Sequence, residues 1–87
     1  FASAQTAYKL FAASNYSDTT KAHKVYIKNL STSNSEFVTI ELGSSNTILG
    51  RLYGGDWAFL PYDGTNDIDI DTSANAMSIE YMVIYEQ

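Results

Sequence analysis

The chain has 87 residues and no cysteine, so it forms one domain at most and contains neither disulfide bonds nor thiolate metal sites. Its net charge is −5, and residues 44–87 carry seven acidic side chains against the single cation Arg51. An acidic chain lacks the basic stripe that binds phosphate groups, which argues against nucleic acid and against an anionic membrane surface as partners.

Apolar and polar residues alternate with a period of two along most of the chain, which is typical of β-strands. Clusters of Gly, Asn, Asp and Ser separate these segments and indicate turns. The predicted strands are 7–12, 24–30, 37–42, 47–53, 57–61, 67–71 and 77–85. The pattern predicts an all-β fold: a single small antiparallel β-sandwich or jelly-roll-like domain of about seven short strands.

The start of the chain is less regular than the rest. Residues 1–22 hold one weak strand candidate followed by a polar stretch, so we expect an N-terminal arm or loosely structured segment there. We expect the β-sandwich domain itself over residues 23–87.

The fifth predicted strand contains large aromatic side chains at alternate positions. Since tryptophan and phenylalanine bury large apolar areas, the face that carries Trp57 and Phe59 is predicted to point into the core. The core residues that we expect in the second half of the chain are Trp57, Phe59, Leu60, Tyr81 and Val83.

The last predicted strand is apolar on both faces near its end, where Met82 and Ile84 have no polar reason to face water. A strand covered on both sides in so small a domain indicates a second surface, supplied by another subunit. The predicted interface residues are Met82, Ile84, Tyr85, Tyr53 and Tyr62.

Three aspartates, Asp67, Asp69 and Asp71, alternate with Ile68 and Ile70. We expect the isoleucines to face inwards and the aspartates to form a solvated, charged edge that prevents pairing with other chains. A Ca²⁺ site is the alternative, because alternate carboxylates offer hard oxygen ligands. The glycine and glutamate that an EF-hand loop requires are missing from their positions, so no metal ligands are expected.

Candidate catalytic residues are few. His23 is the only histidine, and we expect it on the surface in front of a strand, because no serine lies in a G-x-S-x-G elbow that would complete a triad. Glu80 and Asp56 could be drawn as the paired carboxylates of a glycosidase, but nothing in the sequence brings them together. The glycosylation sequons at Asn15 and Asn29 are interpreted as chance matches. These patterns predict a protein that is not an enzyme and binds no cofactor.

Six segments in combination carry a resemblance to a known family. They are Val25-Tyr26-Ile27-Lys28-Asn29-Leu30, Val38-Thr39-Ile40, Ile48-Leu49-Gly50-Arg51-Leu52, Gly55-Asp56-Trp57-Ala58-Phe59-Leu60-Pro61, Ile68-Asp69-Ile70 and Ala76-Met77-Ser78-Ile79-Glu80-Tyr81-Met82-Val83-Ile84. Over residues 23–86 the chain resembles small virion structural proteins of tailed bacteriophages, of the marine and cyanobacterial phage type. The resemblance implies a non-enzymatic role in cementing a capsid or forming a tail part, and it supplies no catalytic residues.

The leading hypothesis is therefore a virion structural protein on the particle exterior, as a capsid decoration or cement subunit. It would bind its own copies as a homo-oligomer, a trimer being one option, and a larger viral coat or tail protein. A phage tail or fibre component is the first alternative. A carbohydrate-binding β-sandwich module is the second, because exposed tyrosines can stack on sugar rings. The tyrosines considered for this role are Tyr8, Tyr16, Tyr26, Tyr53 and Tyr62.

Overall fold

The computed structural model describes residues 1–12, 23–43, 45–62 and 66–84, and within them every regular element is a β-strand. The strands are β1 Tyr8–Phe11, β2 His23–Asn29, β3 Phe37–Leu42, β4 Thr47–Tyr53, β5 Trp57–Tyr62, β6 Ile68–Thr72 and β7 Ile79–Ile84. All seven predicted strands are present, with bounds that differ by two residues at most. None of the described residues forms a helix that could cross a membrane.

The strands form two antiparallel sheets that pack together as a β-sandwich. The four-stranded sheet has the order β1-β6-β3-β4, and the three-stranded sheet has the order β5-β2-β7. The predicted all-β sandwich is confirmed. In the four-stranded sheet β6 and β3 are interior strands, whereas β2 is the only interior strand of the other sheet.

The core lies between the sheets and receives alternate residues from both. In β2 the inward positions are Val25, Ile27 and Asn29, which are fully buried, as the alternation predicted. The apolar residues buried in the core are Phe11, Val25, Ile27, Val38, Ile40, Leu52, Tyr62, Ile68, Ile70 and Met77.

One tight turn carries the chain from the four-stranded to the three-stranded sheet, between the end of β4 and the start of β5. The amide of Asp56 donates to the carbonyl of Tyr53 at 2.8 Å, and Gly55 adopts a φ of 88°. A positive φ at this position of a turn favours glycine, because a side chain would be strained there. The Gly55 amide also donates to the Asn29 carbonyl at 2.9 Å, which holds the turn against β2.

The beginning of the chain is part of the sandwich. Strand β1 pairs with β6, and Phe11 lies in the core. Before β1, the Gln5 carbonyl accepts a hydrogen bond from the Thr72 amide at 2.9 Å. The first twelve residues therefore belong to the domain that was expected to start at residue 23, while residues 13–22 lie outside the described part of the chain.

The predicted orientation of β5 is wrong. Because β5 pairs with β2 so that Leu60 lies opposite Val25, the inward residues are Ala58, Leu60 and Tyr62, and Trp57 and Phe59 point away from the core. Trp57 is 63% exposed and Phe59 is 48% exposed.

The other predicted core and surface residues have mixed locations. Leu60 and Val83 do pack against the core. Tyr81 faces the same side as Val83, but it is 54% exposed because β7 is an edge strand. The ring of Tyr81 contacts that of Phe11, with the ring centroids 5.7 Å apart. His23, expected on the surface, is buried as the first residue of β2, where its register partner is Tyr62.

Candidate functional site

The outer surface of the three-stranded sheet is the candidate functional site, and we call it the aromatic face. Its residues come from β5, β2 and β7, at the positions that alternate with the inward residues. The aromatic face consists of Trp57, Phe59, Pro61, Lys24, Tyr26, Lys28, Glu80, Met82 and Ile84.

The strand register arranges these nine side chains in three rows across the sheet. The middle row is apolar and runs from Phe59 through Tyr26 to Met82. The two outer rows each have a lysine on the central strand. Those rows are Trp57-Lys28-Glu80 and Pro61-Lys24-Ile84.

This face is open to solvent. Met82 is 52% exposed and Ile84 is 48% exposed, which adds two aliphatic side chains to the two exposed aromatic ones described above. Scattered apolar side chains are normal on protein surfaces, but a contiguous apolar patch marks an interaction site. The alternation that buries Val25 and Ile27 on the other side of β2 leaves this patch exposed, and none of the described strands covers it.

A hydrogen bond fixes the centre of the aromatic face. The Tyr26 hydroxyl donates to the Glu80 carboxylate at 2.9 Å. Desolvation by its neighbours raises the pKa of Tyr26, and the Glu80 carboxylate adds to that rise. The hydroxyl of Tyr26 therefore keeps its proton at neutral pH and remains the donor to Glu80.

The charge on the aromatic face has the opposite sign to that of the whole chain. Lys24 and Lys28 are its two cations, and Glu80 is its single acid, in a protein of net charge −5. The face is thus an apolar surface with a positive border. A complementary partner carries apolar groups and carboxylates.

The predicted interface residues have different locations. Met82 and Ile84 belong to the aromatic face. Tyr53 is 40% exposed at the end of β4, in the other sheet, and its ring lies 5.5 Å from that of Phe37 between centroids. Tyr62 is buried, and its hydroxyl donates to the Asn66 carbonyl at 2.8 Å, so it belongs to the core and not to a surface. Tyr85 lies outside the described residues.

The residues considered for catalysis are engaged in structural contacts. The Asp56 carboxylate accepts a hydrogen bond from the Tyr53 amide at 3.0 Å within the turn before β5. Glu80 lies on β7, two strands away from β5, and bonds to Tyr26. The two carboxylates therefore lie towards opposite edges of the three-stranded sheet, and each accepts a hydrogen bond within the fold.

The aspartates of β6 do not form a solvated edge. Strand β6 lies between β1 and β3, and Asp69 is 7% exposed. That prediction was wrong because the position of a strand within a sheet depends on pairings that are distant in sequence. Ile68 and Ile70 do face inwards, as expected. Among the described residues no three His, Cys, Asp or Glu side chains are grouped so as to hold a metal ion.

The sequence did not predict that Trp57, Phe59 and the two lysines belong to one exposed face, and Tyr26 was considered only as a residue that stacks on sugar rings. The pairing of β5 with β2 would have predicted this orientation. The strand β5 is apolar on both sides, but β2 has one clearly apolar side, which fixes the side of β5 that faces the core. Comparison with known proteins matches no family model, no curated protein and no solved structure.

Proposed function

We propose that the protein is a non-enzymatic virion structural subunit, a capsid decoration or cement protein, that docks through its aromatic face on a larger coat protein. The observation that carries the proposal is the exposed row of Phe59, Tyr26 and Met82, flanked by Trp57 and Ile84. Aromatic side chains and methionine are enriched at the centres of protein interfaces, where they contribute large contact areas at low entropic cost.

The size of the aromatic face favours a large partner over a simple dimer. Six residues along a strand and three strands across give a footprint of about 20 Å by about 14 Å, or about 300 Å². Stable interfaces bury about 800 Å² on each partner, so this face needs additional contacts at its borders. A coat lattice supplies them, because it surrounds each subunit with several coat chains and with neighbouring copies of the subunit.

The charge of the aromatic face indicates which groups a partner surface should carry. Lys24 and Lys28 favour a coat surface that presents carboxylates around an apolar centre. Charges at the rim of an interface raise the association rate, and added salt reduces this effect. The apolar centre mainly determines the dissociation rate.

The test is co-sedimentation of the purified chain with particles from its source. We expect the wild-type chain to pellet in fixed ratio to the coat protein, and the double variant Trp57→Ser, Phe59→Ser to remain in the supernatant. The matched control is Ile48→Ser, Leu49→Ser, which removes two exposed apolar side chains from the other sheet. A wild-type chain that stays in the supernatant and sediments as a monomer at high micromolar concentration contradicts the proposal.

The ratio of bound chain to coat protein separates decoration from the tail or fibre alternative. A decoration subunit binds in numbers set by the coat lattice. A tail component is present in only a few copies on each particle.

A carbohydrate-binding module is the second candidate, and one observation favours it. Trp57 and Phe59 are exposed at alternate positions of one strand, about 7 Å apart, so their rings could stack on successive sugar units. Tyr62 is buried, so it is not available to stack on a sugar ring. Binding on a glycan array that is lost in the Trp57→Ala, Phe59→Ala variant, without binding to particles, would favour this function over docking on a coat protein.

A further inference from the structure

The outer surface of the four-stranded sheet contains an unusual pair of acids. Glu41 on β3 and Asp69 on β6 are direct register partners on the two interior strands. Cross-strand neighbours of this kind have Cβ atoms about 5 Å apart. The two carboxyl groups therefore lie next to each other on one face of the sheet.

Both side chains are nearly inaccessible to solvent. Glu41 is 6% exposed and Asp69 is 7% exposed, and one oxygen of each, Oε1 of Glu41 and Oδ1 of Asp69, is buried without a hydrogen-bond partner. An ionised carboxylate that is removed from water and left without donors is strongly disfavoured. A proton on one carboxyl group supplies the missing donor and removes the repulsion between the two.

Within the described part of the chain, the neighbouring cations do not form an ion pair with Glu41 or Asp69. From β1, Lys9 is the register partner of Asp69, but its Nζ lies 3.3 Å from Asp67 and so forms an ion pair with that residue. From β4, the register partner of Glu41 is the apolar Ile48. The guanidinium of Arg51, also on β4, lies over the Phe37 ring, 4.2 Å from its centroid.

The other described acids beside the pair add negative charge. Asp71 follows Asp69 on β6 and Asp67 lies just before that strand, and the Asp71 carboxylate accepts a hydrogen bond from the Ala7 amide at 2.5 Å. Desolvation raises the pKa of Glu41, and the charge of Asp71, the charge of Asp69 and a side-chain hydrogen bond between Glu41 and Asp71 add to the rise. Desolvation also raises the pKa of Asp69, with Asp67 adding to the rise and Lys9 opposing it.

We propose that the buried pair of Glu41 and Asp69 holds one proton in the folded protein, with Asp71 as the hydrogen-bond partner of Glu41, so that the pair stabilises the fold in acidic solution and destabilises it as the pH rises. The chemistry involves the transfer of one proton from solvent to the pair and no other ligand. This inference is independent of docking through the aromatic face, which lies on the other sheet.

The sign of the pH dependence follows from proton linkage. Because the folded chain holds this proton more tightly than the unfolded chain, the stabilisation is complete below the unfolded carboxyl pKa of about 4. It is lost as the pH rises through the raised pKa of the folded pair. Most proteins show the opposite trend in this range, because carboxylates in ion pairs are destabilised by acid.

The test compares thermal unfolding of the full chain across the mildly acidic to mildly alkaline range, for wild type and for Glu41→Gln. We expect the wild type to melt several degrees lower at the alkaline end, and Glu41→Gln, which carries a permanent amide donor, to lose this decline. The control is Asp56→Asn, which changes an exposed acid in the turn before β5, keeps an oxygen that accepts from the Tyr53 amide, and should keep the wild-type profile. A Glu41→Gln profile that parallels the wild type would overturn the proposal.

A second measurement keeps the proposal testable if the variant fails to fold. Carboxyl ¹³C chemical shifts of Glu41 and Asp69 in the wild-type protein should titrate in two coupled steps, the second of them raised above the usual carboxyl range. Titration of both groups in the usual range contradicts the shared proton. A second result would also contradict the proposal: at alkaline pH, added Ca²⁺ raises the melting temperature of the wild type but not that of Asp69→Asn. That result would show that the pair binds a cation.

Discussion

Asn29, on the three-stranded sheet, donates a hydrogen bond from its side-chain amide to the carbonyl of Leu52, on the four-stranded sheet, at 3.0 Å. The same amide donates to the Glu36 carbonyl at 3.3 Å, and its oxygen accepts from the Ser31 amide at 2.9 Å. Asn29 is fully buried. A single polar side chain thus joins the two layers and satisfies three backbone groups.

Replacing Asn29 with alanine should destabilise the fold on the order of 2–4 kcal/mol, since buried backbone groups lose their partners. Urea denaturation followed by tryptophan fluorescence measures this change. The control is Asn34→Ala, at an exposed turn position, which should change the free energy of unfolding by less than about 0.5 kcal/mol. Equal effects of the two substitutions would contradict the role assigned to Asn29.

The turn between the sheets gives a second prediction. A Cβ atom on Gly54 would lie 2.8 Å from the Ser31 carbonyl oxygen and closer still to that of Ser33, and backbone atoms cannot move aside as a flexible side chain would. We expect Gly54→Ala to destabilise the protein by about 1–3 kcal/mol or more, as overpacking does. Thermal unfolding measures the shift in melting temperature.

The matched control for this substitution is Gly50→Ala on β4, where a Cβ atom would meet nothing within 4 Å. That variant should be neutral or slightly stabilised, because alanine restricts the unfolded chain. A Gly54→Ala protein as stable as Gly50→Ala would show that the turn does not pack against the loop after β2.

The orientation of β5 gives a third prediction. Trp57→Ala should cost less than about 1 kcal/mol, because the ring is mostly exposed, whereas Leu60→Ala should cost about 2 kcal/mol or more, because Leu60 packs against the core. Chemical denaturation of both variants measures the difference. The reverse order of stabilities would place the Trp57 ring in the core and remove it from the aromatic face.

Much of this fold could be predicted from period-two alternation and turn residues. In β2 the polar Lys24 and Lys28 alternate with apolar residues, so its buried side was evident. The strand β5 is apolar on both sides, and choosing between Phe59 and Leu60 requires its pairing with β2, a contact over more than 30 residues of sequence.

The locations of individual polar residues were harder to predict. The sequence predicts Asp69 on the surface, because charged side chains are rarely buried. Its burial follows from the interior position of β6 and from its pairing with Glu41, neither of which leaves a signal in local sequence. Asn29 lies in a glycosylation sequon, and its complete burial makes it inaccessible to a glycosyltransferase in the folded chain.

The most direct test of the central claim is site-specific photo-crosslinking on particles from the source of the chain. A benzophenone side chain placed at Phe59, in the middle row of the aromatic face, should crosslink to the coat protein, whereas one placed at the exposed Ile48 of the other sheet should do so weakly. Crosslinking that is equal at the two positions, or confined to Ile48, would contradict docking through the aromatic face.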